Sequence, residues 1–196
     1  MGDKIITPKA MLSYPHLDIP QVAMNGQGKP KYSGSLVFLS GTNLKTLEDA
    51  ALAAAEEKWP GKAAQMFKTG QLTLKGGKGA TFRTDAAAKG YPEGSTYINV
   101  RTEQQPGAVY LWAGPDGKPA VIPQEKIKTD LYAGALVRAS VRAFAYDTAG
   151  NRGVAFALNN VQKLGDGPRL DGRKAAQDEF EADLNAAPAS LADVGA

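Results

Sequence analysis

The sequence contains no cysteine and a single histidine, His16. Without cysteine the chain has neither a disulfide framework nor thiolate chemistry. One histidine cannot supply a zinc site or a histidine-based catalytic triad. The acidic residues before position 171 lie mostly in predicted turns, where an aspartate usually hydrogen-bonds its own backbone. We therefore predict that the chain is not an enzyme and that it uses no metal or cofactor.

Long apolar runs are also missing. No stretch approaches membrane-spanning length, and the first four residues lack the apolar segment of a signal peptide. We expect a soluble, most simply intracellular protein that does not engage a membrane. The 196 residues are enough for one domain with a substantial core but too few for two large ones.

The net charge of +3 is unevenly distributed along the chain. Residues 171–196 hold six acidic and two basic residues, whereas residues 1–170 hold 21 Lys and Arg against 14 Asp and Glu, which gives −4 and +7. A basic body suggests an anionic partner, and an acidic tail suggests a competitor for it. A tail that only keeps the terminus soluble is the alternative. We predict a nucleic-acid-binding domain at 1–170 and an acidic, mostly disordered C-terminal tail at 171–196.

Residues 131–164 predict two long strands joined by a tight turn. In the first strand, small apolar residues at the odd positions from 137 to 145 alternate with larger side chains. Side chains alternate across a strand, so one face lines a core and the other presents Arg138, Arg142, Phe144 and Tyr146. Cations and rings in a row suit a charged polymer that carries flat bases. Ordinary exposed arginines beside rings covered by a loop are the alternative.

Two further stretches, 95–101 and 108–112, repeat this alternation. The apolar residues of these two stretches are predicted to face the core: Ile98, Val100, Val109 and Leu111. Leu72, Val137 and Val141 are predicted to face the core as well. The residues between them are predicted to face outward and, with the long strand, to line one continuous DNA-binding groove: Tyr97, Arg101, Tyr110, Trp112, Arg138, Arg142, Phe144 and Tyr146.

A basic loop at 75–79 offers a second place for a phosphate backbone, through Lys75, Lys78 and the nearby Arg83. The loop lacks the spacing of a phosphate-binding P-loop. A plain solvent-exposed hairpin tip is the alternative interpretation.

The remaining elements complete a mainly β chain. Alanine-rich residues 44–59 predict a helix that stops at Pro60, and a short helix follows at 62–67. Strands are predicted at 33–39 and 71–75, and residues 4–31 predict a short strand followed by a long loop. Residues 119–128 predict a connecting segment. The strand count predicts a five-stranded barrel with the 44–59 helix packed against it.

Six segments, in their order along the chain, resemble a family of phage single-stranded DNA-binding proteins long filed as a domain of unknown function, in particular its member from an Enterobacter phage. These segments are SYPHL (13–17), KYSGSLVF (31–38), FRTD (82–85), GYPEGSTYINVRT (90–102), LYAGALVRASVRAFAYD (131–147) and GVAFALNNVQKLGDGPRLDGR (153–173). The resemblance covers roughly residues 9–180. It implies an OB-fold-like five-stranded barrel with one buttressing helix and long loops, and it implies no cofactor.

The resemblance also implies a function: coating and protection of single-stranded DNA, without sequence specificity, during phage DNA replication and recombination in the cytoplasm of the infected bacterial host. Duplex DNA and phage replication or recombination proteins are further candidate partners. The resemblance carries no motif of binding residues, so the site residues above rest on strand alternation. The alternative function is a β-barrel structural or assembly protein of the phage that uses the exposed aromatic face as a subunit interface.

Overall fold

The computed structural model describes residues 3–22, 26, 28–148 and 151–170. These residues contain ten strands: β1 Ile5–Ile6, β2 Ala10–Gln21, β3 Lys31–Phe38, β4 Lys75–Gly76, β5 Phe82–Arg83, β6 Thr96–Thr102, β7 Gly107–Ala113, β8 Pro119–Val121, β9 Leu136–Thr148 and β10 Asn151–Gly165. They also contain three α-helices and a short 3₁₀ helix: α1 Lys45–Lys58, α2 Ala63–Lys68, α3 Gln124–Asp130 and, in 3₁₀ form, Ala87–Lys89. The predicted acidic tail at 171–196 lies outside the described residues.

A closed ring of hydrogen bonds passes through five of the strands. β2 pairs with β3, β3 with β6, β6 with β10, β10 with β9, and β9 again with β2. The β6–β10 contact is parallel and the other four are antiparallel. The prediction of a mainly β chain is confirmed, and so is the long hairpin formed by β9 and β10.

The interior of the ring is lined by the alternating apolar residues of its strands. Val137 and Val141 on β9 and Ile98 on β6 are each fully buried, as predicted. Val100 and Leu72 are also buried. Burying a valine or leucine side chain contributes on the order of 1.5–3 kcal/mol, so these positions hold the ring together.

Helix α1 closes part of the interior. Its buried face comprises Leu47, Ala51, Ala54 and Ala55, and it packs against β9 and β10. The helix ends at Lys58, with Trp59 as its C-cap, because Pro60 and the left-handed Gly61 (φ +67°) follow. Both predicted helices, at 44–59 and at 62–67, are confirmed in position. No helix among the described residues has the length and hydropathy to cross a membrane.

The prediction of a short strand and a long loop at 4–31 is wrong, because β2 runs for 12 residues through Pro15 and Pro20. Tyr14 has φ +44°, and the β2–β3 register shifts between Ser13 and His16. This bulge interrupts the ladder next to Pro15, where no backbone N–H could have bonded. A second shift lies between His16 and Gln21, across Pro20.

Two other connections differ from the predictions. The segment 119–128, which was predicted only as a connecting segment, contains strand β8 and most of α3. Residues 71–75 form a ladder at Lys75 alone, where β4 begins, although Leu72 packs inside as predicted. Gly134 lies in a turn just before β9. It has φ +113°, and a Cβ there would lie 1.9 Å from the carbonyl oxygen of Pro168 as the segment after β10 passes over it.

Candidate nucleic-acid interface

One register row runs around the outside of the five-strand ring. His16 on β2 is the Cα partner of Ser33 on β3, and Ser33 is the partner of Arg101 on β6. Arg101 is the partner of Ala157 on β10, and Ala157 is also the partner of Arg142 on β9. Imidazole and guanidinium side chains therefore alternate with small ones around the ring. We call these five residues the outer row.

A groove of about 540 Å³ lies on the β2–β3–β6 part of this surface. It is lined by residues of β2, the β2–β3 connection, β3 and β6: Tyr14, His16, Gln21, Val22, Gly28, Lys29, Lys31, Ser33, Gly34, Ser35, Asn99, Val100, Arg101 and Glu103. We call it the β3 groove. Its composition, three cations with a ring and short polar side chains, suits an anionic polymer.

The β2 bulge shapes one side of the β3 groove. The positive φ of Tyr14 turns its ring away from the core, where it is 58% exposed. The Lys89 ammonium lies 5.9 Å from the centre of that ring. A bulge commonly re-aims a side chain in this way, and here it places an aromatic face at the groove.

The floor of the β3 groove is formed by short polar side chains. Ser33, Ser35 and Asn99 have short side chains, and the Ser35 hydroxyl donates to Asn99 Oδ1 at 2.8 Å. Between the serines, a Cβ on Gly34 would lie 3.3 Å from Leu12 Cδ1. The backbone of β3 therefore lies close to the core at Gly34.

The charges of the β3 groove are partly balanced. Glu103 lies 3.3 Å from the Lys31 ammonium and 3.6 Å from that of Lys29. Its hydrogen bond to Lys31 and the charge of Lys29 lower the pKa of the Glu103 carboxyl. Arg101 is exposed, and no carboxylate of the described residues pairs with it. The groove thus offers one free guanidinium and two lysines whose present partner a phosphate could replace.

The outer face of β9 carries Arg142, Phe144 and Tyr146 in succession. Within the described part of the chain, the buried Nε of Arg142 has no acceptor. The rings of Phe144 and Tyr146 lie 6.5 Å apart. The Tyr146 ring covers Gly153 on β10, since a Cβ there would lie 2.5 Å from the tyrosine oxygen. These predicted residues are outward, and Arg142 shares the outer row with Arg101.

Arg138 lies farther along the same face of β9. Its Nε donates to Gln162 Oε1 at 2.7 Å. Together with Ile6 and Val109 it borders a separate surface hollow, not the β3 groove. The structure therefore separates Arg138 from the residues with which the sequence grouped it.

Tyr97 does not face solvent, which corrects its predicted availability for stacking. It does lie on the opposite side of β6 from Ile98, but it is only 2% exposed and packs in a small second cluster with Met11, Val37 and Tyr91. Its hydroxyl donates to Asp85 Oδ1 at 3.1 Å. Burial is the main reason that its pKa is raised.

Arg83, predicted as a phosphate contact, belongs to the same cluster. It forms an ion pair with Asp85, and its guanidinium lies 5.4 Å from the centre of the Tyr97 ring. The hydrogen bond from Arg83 lowers the pKa of Asp85. These contacts fasten the 82–91 segment over β6, so Arg83 is already occupied in the structure.

On strand β7 the predicted positions of Tyr110 and Leu111 are reversed, whereas Trp112 is exposed as predicted. Ala108 is buried and Tyr110 packs against the core, whereas Leu111 is 54% exposed. The ring of Trp112 stacks on Tyr110 at 4.0 Å and is 59% exposed. The Tyr110 hydroxyl donates to Asp130 on α3, and this hydrogen bond raises the pKa of Tyr110. The pair lies away from the β3 groove.

The basic loop at 75–79 is also separate from the β3 groove. Lys75 forms an ion pair with Glu48 on α1 at 2.6 Å. Lys78 is exposed, and the structure gives it no ion pair among the described residues. Thr81, just beyond the loop, donates to the backbone carbonyl of Val154 at 3.0 Å, which attaches the segment near the start of β10.

The sequence interpretation missed four groove residues: Tyr14, His16, Lys29 and Lys31. All four lie in the segment 4–31, which was predicted to be a short strand followed by a long loop and was given no role in binding. The available signal was the pair of lysines immediately before a predicted strand. No three His, Cys, Asp or Glu side chains within the described ranges cluster as a metal ion would require.

The chain matches the family model described as the single-stranded DNA-binding protein of Enterobacter phage Enc34, over residues 3–189. A search of curated proteins finds no match. Among solved structures, the chain is similar to the single-stranded DNA-binding protein from bacteriophage Enc34 in complex with single-stranded DNA. That match has a TM-score of 0.65 and 21% identity, over 85% of this chain and 89% of the other.

A C-terminally truncated form of the same phage protein gives a TM-score of 0.64 and 22% identity, over 85% of this chain and 88% of the other. The chain is also similar to gp2.5, a single-stranded DNA-binding protein encoded by bacteriophage T7. There the TM-score is 0.53 and the identity 13%, over 97% of this chain and 100% of the other. At these identities the structural likenesses establish a shared fold.

Proposed function

The chain belongs to the family of the single-stranded DNA-binding protein of Enterobacter phage Enc34, and we propose that it binds single-stranded DNA on the outer face of its five-strand ring. The observation that carries this proposal is the outer row, which sets Arg101 and Arg142 on one face with no carboxylate partner among the described residues. Backbone charge and base stacking together give affinity without sequence readout.

We propose further that the ring is an OB-type barrel. Numbered within the ring, its strands are β2, β3, β6, β9 and β10, with β9 closing against β2 and the third and fifth strands parallel. In OB folds the face of the second and third strands, with the loops after the first and fourth strands, binds oligonucleotides. The β3 groove occupies that position, which supports the assignment.

Four of the residues predicted from the sequence remain in the proposed site: Arg101, Arg142, Phe144 and Tyr146. We add Tyr14, His16, Lys29 and Lys31 from the β3 groove. The others are left out of the proposed site because they are covered, already paired or on another surface: Tyr97, Arg83, Lys75, Lys78, Arg138, Tyr110 and Trp112.

The biological role that we propose is to coat and protect single strands during phage DNA replication and recombination, in the cytoplasm of the infected host. The division into a binding domain at 1–170 and an acidic tail at 171–196 is part of this proposal. The tail carries −4 against +7 on the rest of the chain. A tethered acidic segment competes with phosphates at high effective concentration, so we propose that it weakens binding modestly.

A fluorescence anisotropy titration with a mixed-sequence single strand and the matching duplex, each at two salt concentrations, tests the proposal. We expect tight binding of the single strand that weakens with salt, and about tenfold weaker binding by Arg101→Gln. Lys45→Gln on α1 removes the same charge far from the groove and should bind like the wild type.

Three results would count against the proposal. Failure of the wild type to bind single strands would refute it, and equal binding of the duplex would refute its strand preference. Self-association through the exposed Leu111 and Trp112 without DNA binding would favour the alternative of a structural or assembly protein.

A further inference from the structure

Another surface hollow lies on the helix side of the ring, where the end of α1, helix α2 and the start of β10 meet. Its volume is about 500 Å³. The residues that line it include one large aromatic ring, two cations and two amides: Trp59, Lys62, Gln65, Met66, Gln71 and Arg152. We call it the Trp59 hollow. None of these six residues belongs to the site proposed on the outer face of the ring.

Backbone hydrogen bonds fix the shape of the Trp59 hollow. The carbonyl oxygen of Trp59 accepts from the N–H groups of Lys62 at 3.0 Å and Ala63 at 3.1 Å, so the chain turns directly from α1 into α2. The N–H of Leu72 donates to the carbonyl oxygen of Met66 at 3.0 Å, which holds the following segment against α2. Side chains from two helices and a connection are therefore gathered on one surface.

The side chains of the Trp59 hollow are those that a nucleotide requires. An indole ring can stack on any base, and Trp59 is only partly buried. The amides of Gln65 and Gln71 each offer donors and an acceptor to a base edge. Lysine and arginine bind phosphate oxygens. Among the described residues that line the hollow, none is a carboxylate that would repel a phosphate.

The two cations of the hollow differ in their present partners. Lys62 is exposed, and the described part of the chain gives it no ion pair. Arg152 uses its Nε to bind Asp147 at 2.8 Å, and its side chain is 45% exposed. A guanidinium has five N–H donors, so this ion pair leaves others for a phosphate. Lys62 is thus the cation that a ligand reaches without displacing a partner.

The β9–β10 hairpin connects the hollow to the proposed DNA site. Tyr146 on the outer face covers Gly153, and Arg152 immediately precedes Gly153. Consecutive side chains of a strand point to opposite faces, so Arg152 lies on the helix side. Their Cα atoms are only about 3.8 Å apart. A strand that passes over Tyr146 therefore reaches the hollow by turning round the end of this hairpin.

We propose that the Trp59 hollow is a helix-side nucleotide site, in which a base stacks on Trp59 and a phosphate binds Lys62 and Arg152. This inference rests on the proposed function and deepens it, because it extends the path of the single strand beyond the outer face. Only a strand long enough to turn round the β9–β10 hairpin reaches the hollow, whereas a short oligomer fills the outer face alone.

Tryptophan fluorescence tests the proposal. The chain has two tryptophans, Trp59 and Trp112, so Trp112→Phe leaves Trp59 as the only fluorescent indole. OB folds occupy roughly 4–16 nucleotides, and thymidine oligomers of about 6 and about 16 nucleotides span that range. We expect the long oligomer to quench Trp59 by stacking. The short oligomer should bind, as measured by anisotropy, without quenching it.

A pair of lysine variants gives a second readout. Lys62→Gln removes the cation of the hollow, and Lys58→Gln removes the same charge from the last turn of α1, outside the hollow. We expect Lys62→Gln to bind the long oligomer about threefold more weakly, with a logarithmic salt slope lower by roughly 0.7, and to bind the short one normally. Lys58→Gln should match the wild type. Both lysines are exposed, and thermal unfolding checks that both variants remain folded.

The proposal and the function on which it rests fail differently. If the long oligomer binds without quenching Trp59, or if both oligomers quench it equally, the helix-side site is wrong and the proposed function stands. The site is also wrong if Trp59 is quenched but Lys62→Gln and Lys58→Gln bind the long oligomer alike, because the signal is then indirect. If neither oligomer binds, the proposed function fails and the helix-side site fails with it.

Discussion

The outer face of the five-strand ring and the β7–β8 hairpin both carry aromatic side chains, but the charged groups beside those side chains differ. On the ring, Arg101 and Arg142 stand in register with no carboxylate of the described chain against them. On the hairpin, Tyr110 hydrogen-bonds Asp130, and its neighbours are the exposed Leu111 and Trp112. The comparison teaches that aromatic content alone does not mark a DNA-binding surface. In our proposal, unpaired cations beside the rings distinguish the DNA-binding surface from the hairpin.

The strongest way to break this comparison is to remove both ring arginines. We expect Arg101→Gln combined with Arg142→Gln to weaken binding of a long single strand about a hundredfold and to lower the logarithmic salt slope by roughly 1.4. Lys118→Gln combined with Lys45→Gln removes the same charge at positions outside the β3 groove and the outer row, and should change affinity little. Titrations over a range of salt concentrations decide. Equal losses in the two double variants would mean that overall charge, not the outer row, controls binding.

A stability measurement contrasts a buried residue of the ring with an exposed residue of the hairpin. Val141 is fully buried in the ring, whereas Leu111 is exposed on the hairpin. Val141→Ala should lower the free energy of unfolding by on the order of 1–3 kcal/mol through lost burial and a cavity. Leu111→Ala should change it by less than about 0.5 kcal/mol. Denaturant unfolding measures both, and the reverse order would show that the strand faces are misassigned.

Ring substitutions compare the two aromatic surfaces directly. Phe144→Ala should weaken single-strand binding by about 1 kcal/mol, the low end of the range for a stacking ring, because Phe144 is only 39% exposed. Trp112→Ala should leave affinity unchanged, although its ring is more exposed at 59%. The same anisotropy titration serves for both. A loss in Trp112→Ala without one in Phe144→Ala would move the site to the hairpin.

The smallest expected effect concerns the acidic tail. Deletion of residues 171–196 should tighten binding a few-fold at low salt, and the gain should fade as salt screens the charges. Paired titrations of the full-length and truncated chains at low and moderate salt measure it. Equal affinities at low salt would make the tail a solubility element, and weaker binding by the truncated chain would reverse its proposed role.

Much of the ring could be predicted from the sequence, because regular alternation of apolar and polar residues indicates both where a strand lies and which of its faces is buried. The β9–β10 hairpin has a clean alternation and turn residues at its centre, so its buried and outer sides were assigned correctly. Helix α1 has apolar residues at helical spacing and ends before Pro60. In both cases local chemistry and tertiary packing favour the same structure.

The errors arose where tertiary contacts decide the outcome. Alternation divides β7 into two faces but does not say which is inside. Tyr110 faces inward, where its hydroxyl donates a hydrogen bond to Asp130 on α3. Tyr97 was placed on the correct side of β6, yet the 82–91 segment covers it. The prolines of β2 are tolerated because register shifts interrupt the ladder around them.

Lysine footprinting by mass spectrometry, with and without saturating single-stranded DNA, tests the central claim most directly. Lys29 and Lys31 line the β3 groove, and Lys118 is an exposed lysine beside the β7–β8 turn. The account predicts that DNA sharply reduces labelling of Lys29 and Lys31 and leaves Lys118 unchanged. Protection of Lys118 with unchanged labelling of Lys29 and Lys31 would contradict it and place the DNA on the hairpin.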